Sequence, residues 1–260
     1  MVAGILTWIG SVAILILVQL LFIIPYTFNH FPGGTKEDLQ RFLLTDKTAV
    51  FLQILSLLPA HLLTLGVVWA VITRFGKRPF WRSLGWDWGK NFGFWKSAGF
   101  AVGLFIVGSS VLYFIGTTKT SFDVSINSSR ATAYLVAFIA VATAPMAEEF
   151  VYRGVLYSAL HKKLGVNWAV VGVLALFTLV HVPQYWPDYG RIGLLGLLSL
   201  SLTVVRAYTG RLLPCFVLHT VFNGIQSVII FIEPYLPKSL TGEDPHASGA
   251  VISQIIHHLF

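Results

Sequence analysis

The hydrophobic pattern of the chain consists of long apolar runs separated by short polar connections. A helix needs about 20 mostly apolar residues to cross the hydrocarbon core of a bilayer. The runs that suit such spans lie at residues 2–24, 50–72, 94–116, 131–152, 168–183, 191–208 and 212–232. We therefore predict an all-α fold, a polytopic transmembrane helix bundle with about seven to eight spans.

The polar connections add detail to this helical pattern. Residues 25–49 contain Pro-Gly-Gly, which is typical of a turn. Residues 73–93 are basic and rich in Trp, as expected of a segment that lies at the level of the lipid headgroups. The run 2–24 lacks the basic start and the small-residue cleavage site of a signal peptide. We expect it to remain as a helix of the mature protein.

Composition agrees with a membrane protein. Of 260 residues, 55% are hydrophobic and 11% are charged, and the mean hydropathy is +0.74, far from a water-soluble domain. The net charge of +7 lies mostly in short loops, where Lys and Arg orient helices instead of binding nucleic acid. We predict a multi-pass protein of the plasma membrane, with membrane lipid as a partner and no nucleic acid.

Basic residues are unevenly distributed between alternate loops. By the positive-inside rule, this places the N-terminus and the even loops in the cytoplasm and the tail around Glu233, Glu243 and Asp244 outside. The basic residues of the even loops are Arg74, Lys77, Arg78, Arg82 and Lys90, then Lys162 and Lys163, then Arg206 and Arg211.

Two adjacent carboxylates stand out inside the run 131–152. Inserting an ionisable side chain at the centre of a membrane span costs at least ~2.5–3.5 kcal/mol of free energy. A residue that is retained there despite this cost is therefore a candidate for a function. Glu149 and Arg153 are four residues apart, so we predict an ion pair on one helix face. Glu148 has no basic residue three or four positions further on and is left free. Pro145 is expected to kink the helix and open space there. The alternative is a purely structural ion-pair cluster.

Two histidines of other spans have companions at helical spacing. The segments are Phe177-Thr-Leu-Val-His181 and His219-Thr-Val-Phe-Asn223. His219 and Asn223 project from one face, and Phe177 is expected to pack beneath His181. His61 does not belong to such an i, i+4 pair, and we interpret it as a structural residue. The remaining histidines are assigned to loops or tails: His30, His161, His246, His257 and His258.

These side chains together suit an attack on a carbonyl group. A carboxylate can act as general base for water, and histidine and amide groups can donate to the developing oxyanion. No Gly-x-Ser-x-Gly or His-Glu-x-x-His motif is present, which argues against a serine hydrolase or a zincin. The lone cysteine, Cys215, cannot form an intrachain disulfide, and no Cys-x-x-Cys pair or Gly-rich phosphate loop occurs. Peptide hydrolysis fits these features best.

The three motifs, in this order on separate helices, resemble the CPBP group, the CAAX-protease and bacteriocin-processing (Abi) family of intramembrane proteases. The first motif is Glu148-Glu149-Phe-Val-Tyr-Arg153, and the resemblance covers roughly residues 130–225. It implies that Glu148 activates water and that His181 helps to position it. It further implies that His219 and Asn223 stabilise the oxyanion.

The same resemblance gives Glu149 and Arg153 a supporting role. A metal is left open, because Glu148, His181 and His219 could form a zinc site of two histidines and one carboxylate. We prefer hydrolysis without a metal or other cofactor, since Asn223 is a good oxyanion donor but an unusual zinc ligand.

The predicted topology creates one conflict of depth. It places Glu148 toward the cytoplasmic end of its helix and His181 toward the outer end of the next. Either the fourth helix extends well beyond the membrane or the fifth is displaced or tilted. We expect the site to open to the cytoplasm.

The favoured function is an intramembrane endopeptidase that cleaves a membrane-associated protein or peptide of CAAX-like or leader-peptide type. The alternatives are a non-catalytic scaffold or bacteriocin-immunity protein, and a proton-coupled transporter, for which no repeat with broken helices is seen. We divide the chain into N-terminal helices with the basic, Trp-rich loop at 1–125, a catalytic core at 126–232 and a C-terminal tail at 233–260.

Overall fold

The computed structural model describes residues 1–89, 91–232 and 235, and its long elements are all helices. Strands are absent from this described part, apart from an isolated β-bridge between Gly89 and Phe92. The helices are α1 (Val2–His30), α2 (Lys36–Thr45), α3 (Lys47–Leu55), α4 (Leu57–Thr73), α5 (Phe80–Leu84), α6 (Phe94–Ile115), α7 (Ser121–Ile126), α8 (Arg130–Ala142), α9 (Ala144–Glu149), a π-helical segment (Phe150–Leu156), α10 (Tyr157–Tyr185), α11 (Tyr189–Thr209) and α12 (Leu213–Ile232).

Six helical stretches of the described chain are long and apolar enough to cross a membrane. The longest has 56 residues and contains two of the predicted runs, 131–152 and 168–183. Large apolar side chains such as Leu21, Leu62 and Phe114 are exposed on the outside of the bundle, as a lipid-facing surface requires. The predicted all-α polytopic bundle is therefore confirmed. The stretches are Val2–His30, Lys47–Thr73, Phe94–Ile115, Arg130–Tyr185, Tyr189–Thr209 and Leu213–Ile232.

The run predicted as one span over 131–152 is helical, with a break close to Pro145, where a kink was expected. α8 ends at Ala142, and Thr143 has φ −115° and ψ −37° before α9 begins. Pro145 lies in the first turn of α9, where its missing N–H would have no helical partner in any case. The helical path then continues through the π-helical segment far beyond residue 152. Hydropathy does not reveal this continuation, because the stretch after residue 152 is polar but still helix-forming.

A reversal at Gly165 folds this long helical path into an antiparallel hairpin. Gly165 has φ 80° and ψ 177°, a backbone conformation that favours glycine. Leu160 approaches Gly172 across the hairpin. Further from the turn, the rings of Tyr152 and Phe177 lie 5.0 Å apart.

The hairpin resolves the conflict of depth. Glu149 and His181 lie equally far from Gly165 along the two arms, so they reach the same level of the bundle. The fourth helix also continues well past the run predicted for it, in agreement with the first of the two alternatives.

The π-helical segment forms the centre of the largest apolar core. Its side chains pack with Leu84 of α5, Val68 of α4 and Val173 of α10, and α1 covers its other side. A second core joins α6, α11 and α12. The predicted tail, 233–260, lies outside the described residues except for Tyr235.

Candidate active site

The predicted ion pair of Glu149 and Arg153 is present and completely buried. Arg153 Nη1 donates to Glu149 Oε1 at 3.0 Å, and both side chains have zero exposure. Glu149 ends α9 and Arg153 lies in the π-helical segment, so the pair crosses the junction between the two. π-Helical turns are rare and often mark functional sites.

The other donors of Arg153 reach across to α11. Its Nε donates to Thr203 Oγ1 at 3.2 Å, and its Nη2 donates to the carbonyl and the hydroxyl of Ser199, each at 3.0 Å. The guanidinium also lies 4.8 Å from the centre of the Phe177 ring. Ser199 and Thr203 were not among the predicted site residues, because their i, i+4 spacing alone does not distinguish them from other hydroxyl residues of membrane helices. Arg153 therefore has the fixed geometry needed to orient Glu149.

His219 lies between the two carboxylates. Its Nδ1 is 2.9 Å from Glu149 Oε1, and its Nε2 is 3.7 Å from Glu148 Oε2. Because an ionised carboxylate only accepts hydrogen bonds, Nδ1 donates to Glu149 and the ring is held with Nε2 facing Glu148. The acidic and histidine motifs of α9 and α12 thus meet in one cluster.

Glu148 is the more accessible of the two acids. Its side chain is 23% exposed, whereas that of Glu149 is fully buried. A separation of 3.7 Å is too long for a strong direct hydrogen bond between Glu148 and His219. It does allow one oxygen atom to lie about 2.8 Å from both groups, which is ordinary hydrogen-bond distance. The gap therefore suits a water molecule or a substrate oxygen.

His181 lies on the facing arm of the hairpin and reaches this cluster through Phe177. The Phe177 ring centre is 4.6 Å from that of His181 and 6.3 Å from that of His219. The predicted packing of Phe177 against His181 is confirmed. His181 Nδ1 lies 2.7 Å from the Phe177 carbonyl oxygen. Since a carbonyl cannot donate, Nδ1 carries a proton, and in the neutral ring the lone pair is then on Nε2.

Asn223 follows His219 by one turn of α12 and contacts the end of α8. Its Nδ2 donates to the carbonyl oxygen of Ala140 at 2.9 Å. This carbonyl belongs to the last turn of α8, where helical carbonyls lose their partners. Asn223 therefore stabilises the break at Thr143 and retains a second N–H on the same nitrogen.

His61 is not isolated, contrary to the sequence-based expectation. Its Nδ1 lies 2.9 Å from the hydroxyl of Thr143, the residue at which α8 breaks. It is also close enough to Glu148 for the two to interact electrostatically. α4 packs directly on α9, which the spacing of residues along α4 alone could not reveal.

A zinc site of Glu148, His181 and His219 is the alternative to hydrolysis without a metal. Among the described residues, no group of three His, Cys, Asp or Glu side chains is placed to hold a metal ion. The Nδ1 atoms of His219 and His181 face Glu149 and a backbone carbonyl, respectively. This arrangement orients Nε2 of each ring, and it is also common among histidines that bind a metal.

Fold and site together define a polytopic, all-helical membrane protein with a cluster of two carboxylates, an arginine and a histidine among its helices. Residues 130–225 match the family model described as Rce1-like, type II CAAX prenyl endopeptidase. The matched segment contains all three motifs, so the predicted resemblance to the CAAX proteases is confirmed. The chain is thus, in general terms, a membrane-embedded peptidase. No curated protein and no solved structure matched the chain.

Proposed function

We propose that the chain is an intramembrane endopeptidase in which Glu148 activates water for attack on a peptide carbonyl. One observation carries the proposal: His219 is held by Glu149 on one side and faces the accessible Glu148 on the other. The attacking water needs a general base, and the carbonyl oxygen needs a hydrogen-bond donor beside that base. Glu148 and His219 supply these two groups.

The proposed reaction has two proton transfers. Glu148 removes a proton from water as the oxygen attacks the carbonyl carbon, and His181 Nε2 accepts the other water hydrogen to orient the molecule. The tetrahedral intermediate collapses with breakage of the C–N bond, and Glu148 returns its proton to the leaving amine. The products are a new carboxylic acid, which releases its remaining water-derived proton to solvent, and a new amine, and the enzyme is unchanged.

His219 and Asn223 are proposed to stabilise the oxyanion. Asn223 has a second N–H on Nδ2 besides the one given to Ala140. When the His219 ring carries both protons, its Nε2 donates toward the gap beside Glu148. Glu149 and Arg153 hold this ring in place, and they are positioning residues because neither lies next to the proposed water.

The proposed substrate is a membrane-associated protein or peptide with a CAAX-like or leader-peptide-type sequence. Two features support a substrate of this kind. The candidate site lies on a helical stretch suited to a membrane, and the matching family is described as a prenyl endopeptidase. The basic loops favour a site that opens to the cytoplasm, and we place the protein in the plasma membrane.

Comparative membrane proteomics tests the proposed function and identifies substrates. Cells that express the wild type are compared with cells that express Glu148→Ala at equal level. We expect uncleaved precursors to accumulate in the variant, with the matching fragments present only in the wild type. Identical peptide profiles in the two strains would contradict the proposal and favour a non-catalytic scaffold.

A further inference from the structure

A second polar site lies beside the tip of the hairpin, away from the candidate active site. It is a cavity of about 370 Å³, lined by Tyr157, His161 and Lys162 of α10 and by Arg206 and Gly210 at the end of α11. We call it the basic cavity. None of the residues proposed for catalysis lines it.

Arg206 is buried in this cavity without a carboxylate partner. It is 8% exposed, and its Nη1 donates to the carbonyl oxygen of Gly210 at 2.8 Å. The other buried arginines differ, since Arg153 pairs with Glu149 at 3.0 Å and Arg191 pairs with Asp123 at 2.6 Å. Arg206 makes no ion pair within the described chain. A buried cation is costly unless an anion compensates it, so the cavity favours a negatively charged ligand.

Tyr157 provides a second, independent sign of a missing acceptor. The residue is 4% exposed, and its hydroxyl is buried without a hydrogen-bond partner in the part of the chain that the structure describes. Its ring packs against His161 with centres 5.4 Å apart, which fixes its place in the cavity wall. Buried hydroxyl groups are normally hydrogen-bonded, so a ligand oxygen at this position would satisfy it.

The chemistry and the position of the cavity indicate the ligand. A phosphate group accepts several hydrogen bonds at once, including those of a guanidinium and a hydroxyl. Lys162 adds a further positive charge, and no acidic residue lines the cavity. Arg206 lies three residues before the end of α11, at the end that the loop charges place toward the cytoplasm. Basic pockets between membrane helices on that side suit the headgroups of anionic lipids.

We propose that the basic cavity binds the phosphate of an anionic phospholipid headgroup. Arg206 and Tyr157 would donate to its oxygens, and Lys162 would stabilise its charge. This site stands independently of the proposed peptidase activity, because no catalytic residue takes part in it.

The test uses the purified full-length protein in neutral detergent and follows its Tm during titration with short-chain phosphatidylglycerol. We expect a saturable rise in Tm for the wild type and a much smaller one with phosphatidylcholine. Arg206→Gln should weaken the apparent affinity at least about tenfold, as expected for loss of charge-assisted hydrogen bonds. Tyr157→Phe and Lys162→Gln should each weaken it about fivefold. If Arg206→Gln does not fold, the affinities of Tyr157→Phe and Lys162→Gln test the proposal on their own.

Lys163→Gln is the matched control, because Lys163 neighbours Lys162 but does not line the cavity. Its affinity should equal that of the wild type, and an equal loss in both lysine variants would overturn the proposal in favour of diffuse surface charge. Two further titrations identify the source of the anion. Inorganic phosphate that reproduces the full Tm rise would overturn the lipid assignment, as would displacement of the lipid by a peptide with a free C-terminal carboxylate.

Discussion

Glu148→Gln is expected to lower kcat for a cognate membrane peptide about a thousandfold without unfolding the protein. General base catalysis contributes on the order of 10²–10⁴ in rate, and a thousandfold loss corresponds to about 4 kcal/mol of activation free energy. Gln keeps the size of the side chain but cannot take a proton from water. Because Glu148 is 23% exposed and makes no ion pair with Arg153, its charge is not needed to compensate a buried cation.

The measurement is steady-state cleavage in proteoliposomes, together with Tm in detergent. Glu37→Gln is the matched control, because Glu37 lies in the first turn of the exposed helix α2, far along the chain from the three motifs. That variant should cleave at the wild-type rate. Full activity of Glu148→Gln would eliminate Glu148 as the base, and a large fall in its Tm would show that the residue is structural.

Arg153→Met is expected to cost about 3–5 kcal/mol of folding free energy. The substitution leaves the fully buried carboxylate of Glu149 without its cation, and an uncompensated buried charge carries a penalty of this size. The hydroxyl groups of Ser199 and Thr203 lose the hydrogen bonds that Arg153 donates, whereas the Ser199 carbonyl keeps the one from Thr203. We expect Tm in detergent to fall by about 10 °C or more.

The double variant Glu149→Gln/Arg153→Met separates this penalty from simple loss of packing. It removes both charges, so most of the lost stability should return. Arg211→Met provides the surface control, because Arg211 and Asp87 form an ion pair at 2.8 Å with side chains 46% and 52% exposed. That pair should contribute less than about 1 kcal/mol. A double variant as unstable as Arg153→Met would contradict the explanation by buried charge.

Contacts within one helix could be predicted from the sequence, because helical geometry alone determines them. The pair of Glu149 and Arg153 and the packing of Phe177 on His181 both follow from the i, i+4 rule, and both are present. The apolar runs likewise identified the helical stretches that suit a membrane. Local periodicity was sufficient for these features.

Contacts between helices could not be predicted in the same way. His61 was interpreted as a histidine without a partner at helical spacing. Its hydrogen-bond partner Thr143 lies at the end of another helix, α8. Ser199 and Thr203 were overlooked because hydroxyl residues occur throughout membrane helices, where they can bond their own backbone. Thr203 does this as well, donating to the carbonyl of Ser199 at 2.7 Å. Only the packing of α11 on α10 and the π-helical segment gives these residues their role around Arg153.

The break at Thr143 lies two residues before Pro145, where a kink was predicted, and the reversal at Gly165 lies in the connection between the predicted runs 131–152 and 168–183. Both are backbone features within stretches that remain helix-forming on either side. They matter for the site, since the break lies next to His61 and Asn223 and the reversal brings His181 level with Glu149. The catalytic roles of Glu148, His181, His219 and Asn223 remain predictions.

The central claim is that this chain hydrolyses a peptide bond with water. The most direct test is mass spectrometry of a membrane-anchored peptide substrate after incubation with the purified protein in water enriched in heavy oxygen. The mechanism predicts a single cleavage, with one heavy oxygen in the new C-terminal carboxylate of the wild-type product and no product from Glu148→Gln. An intact peptide after incubation with the wild type, or a cleaved product without the label, would contradict the claim.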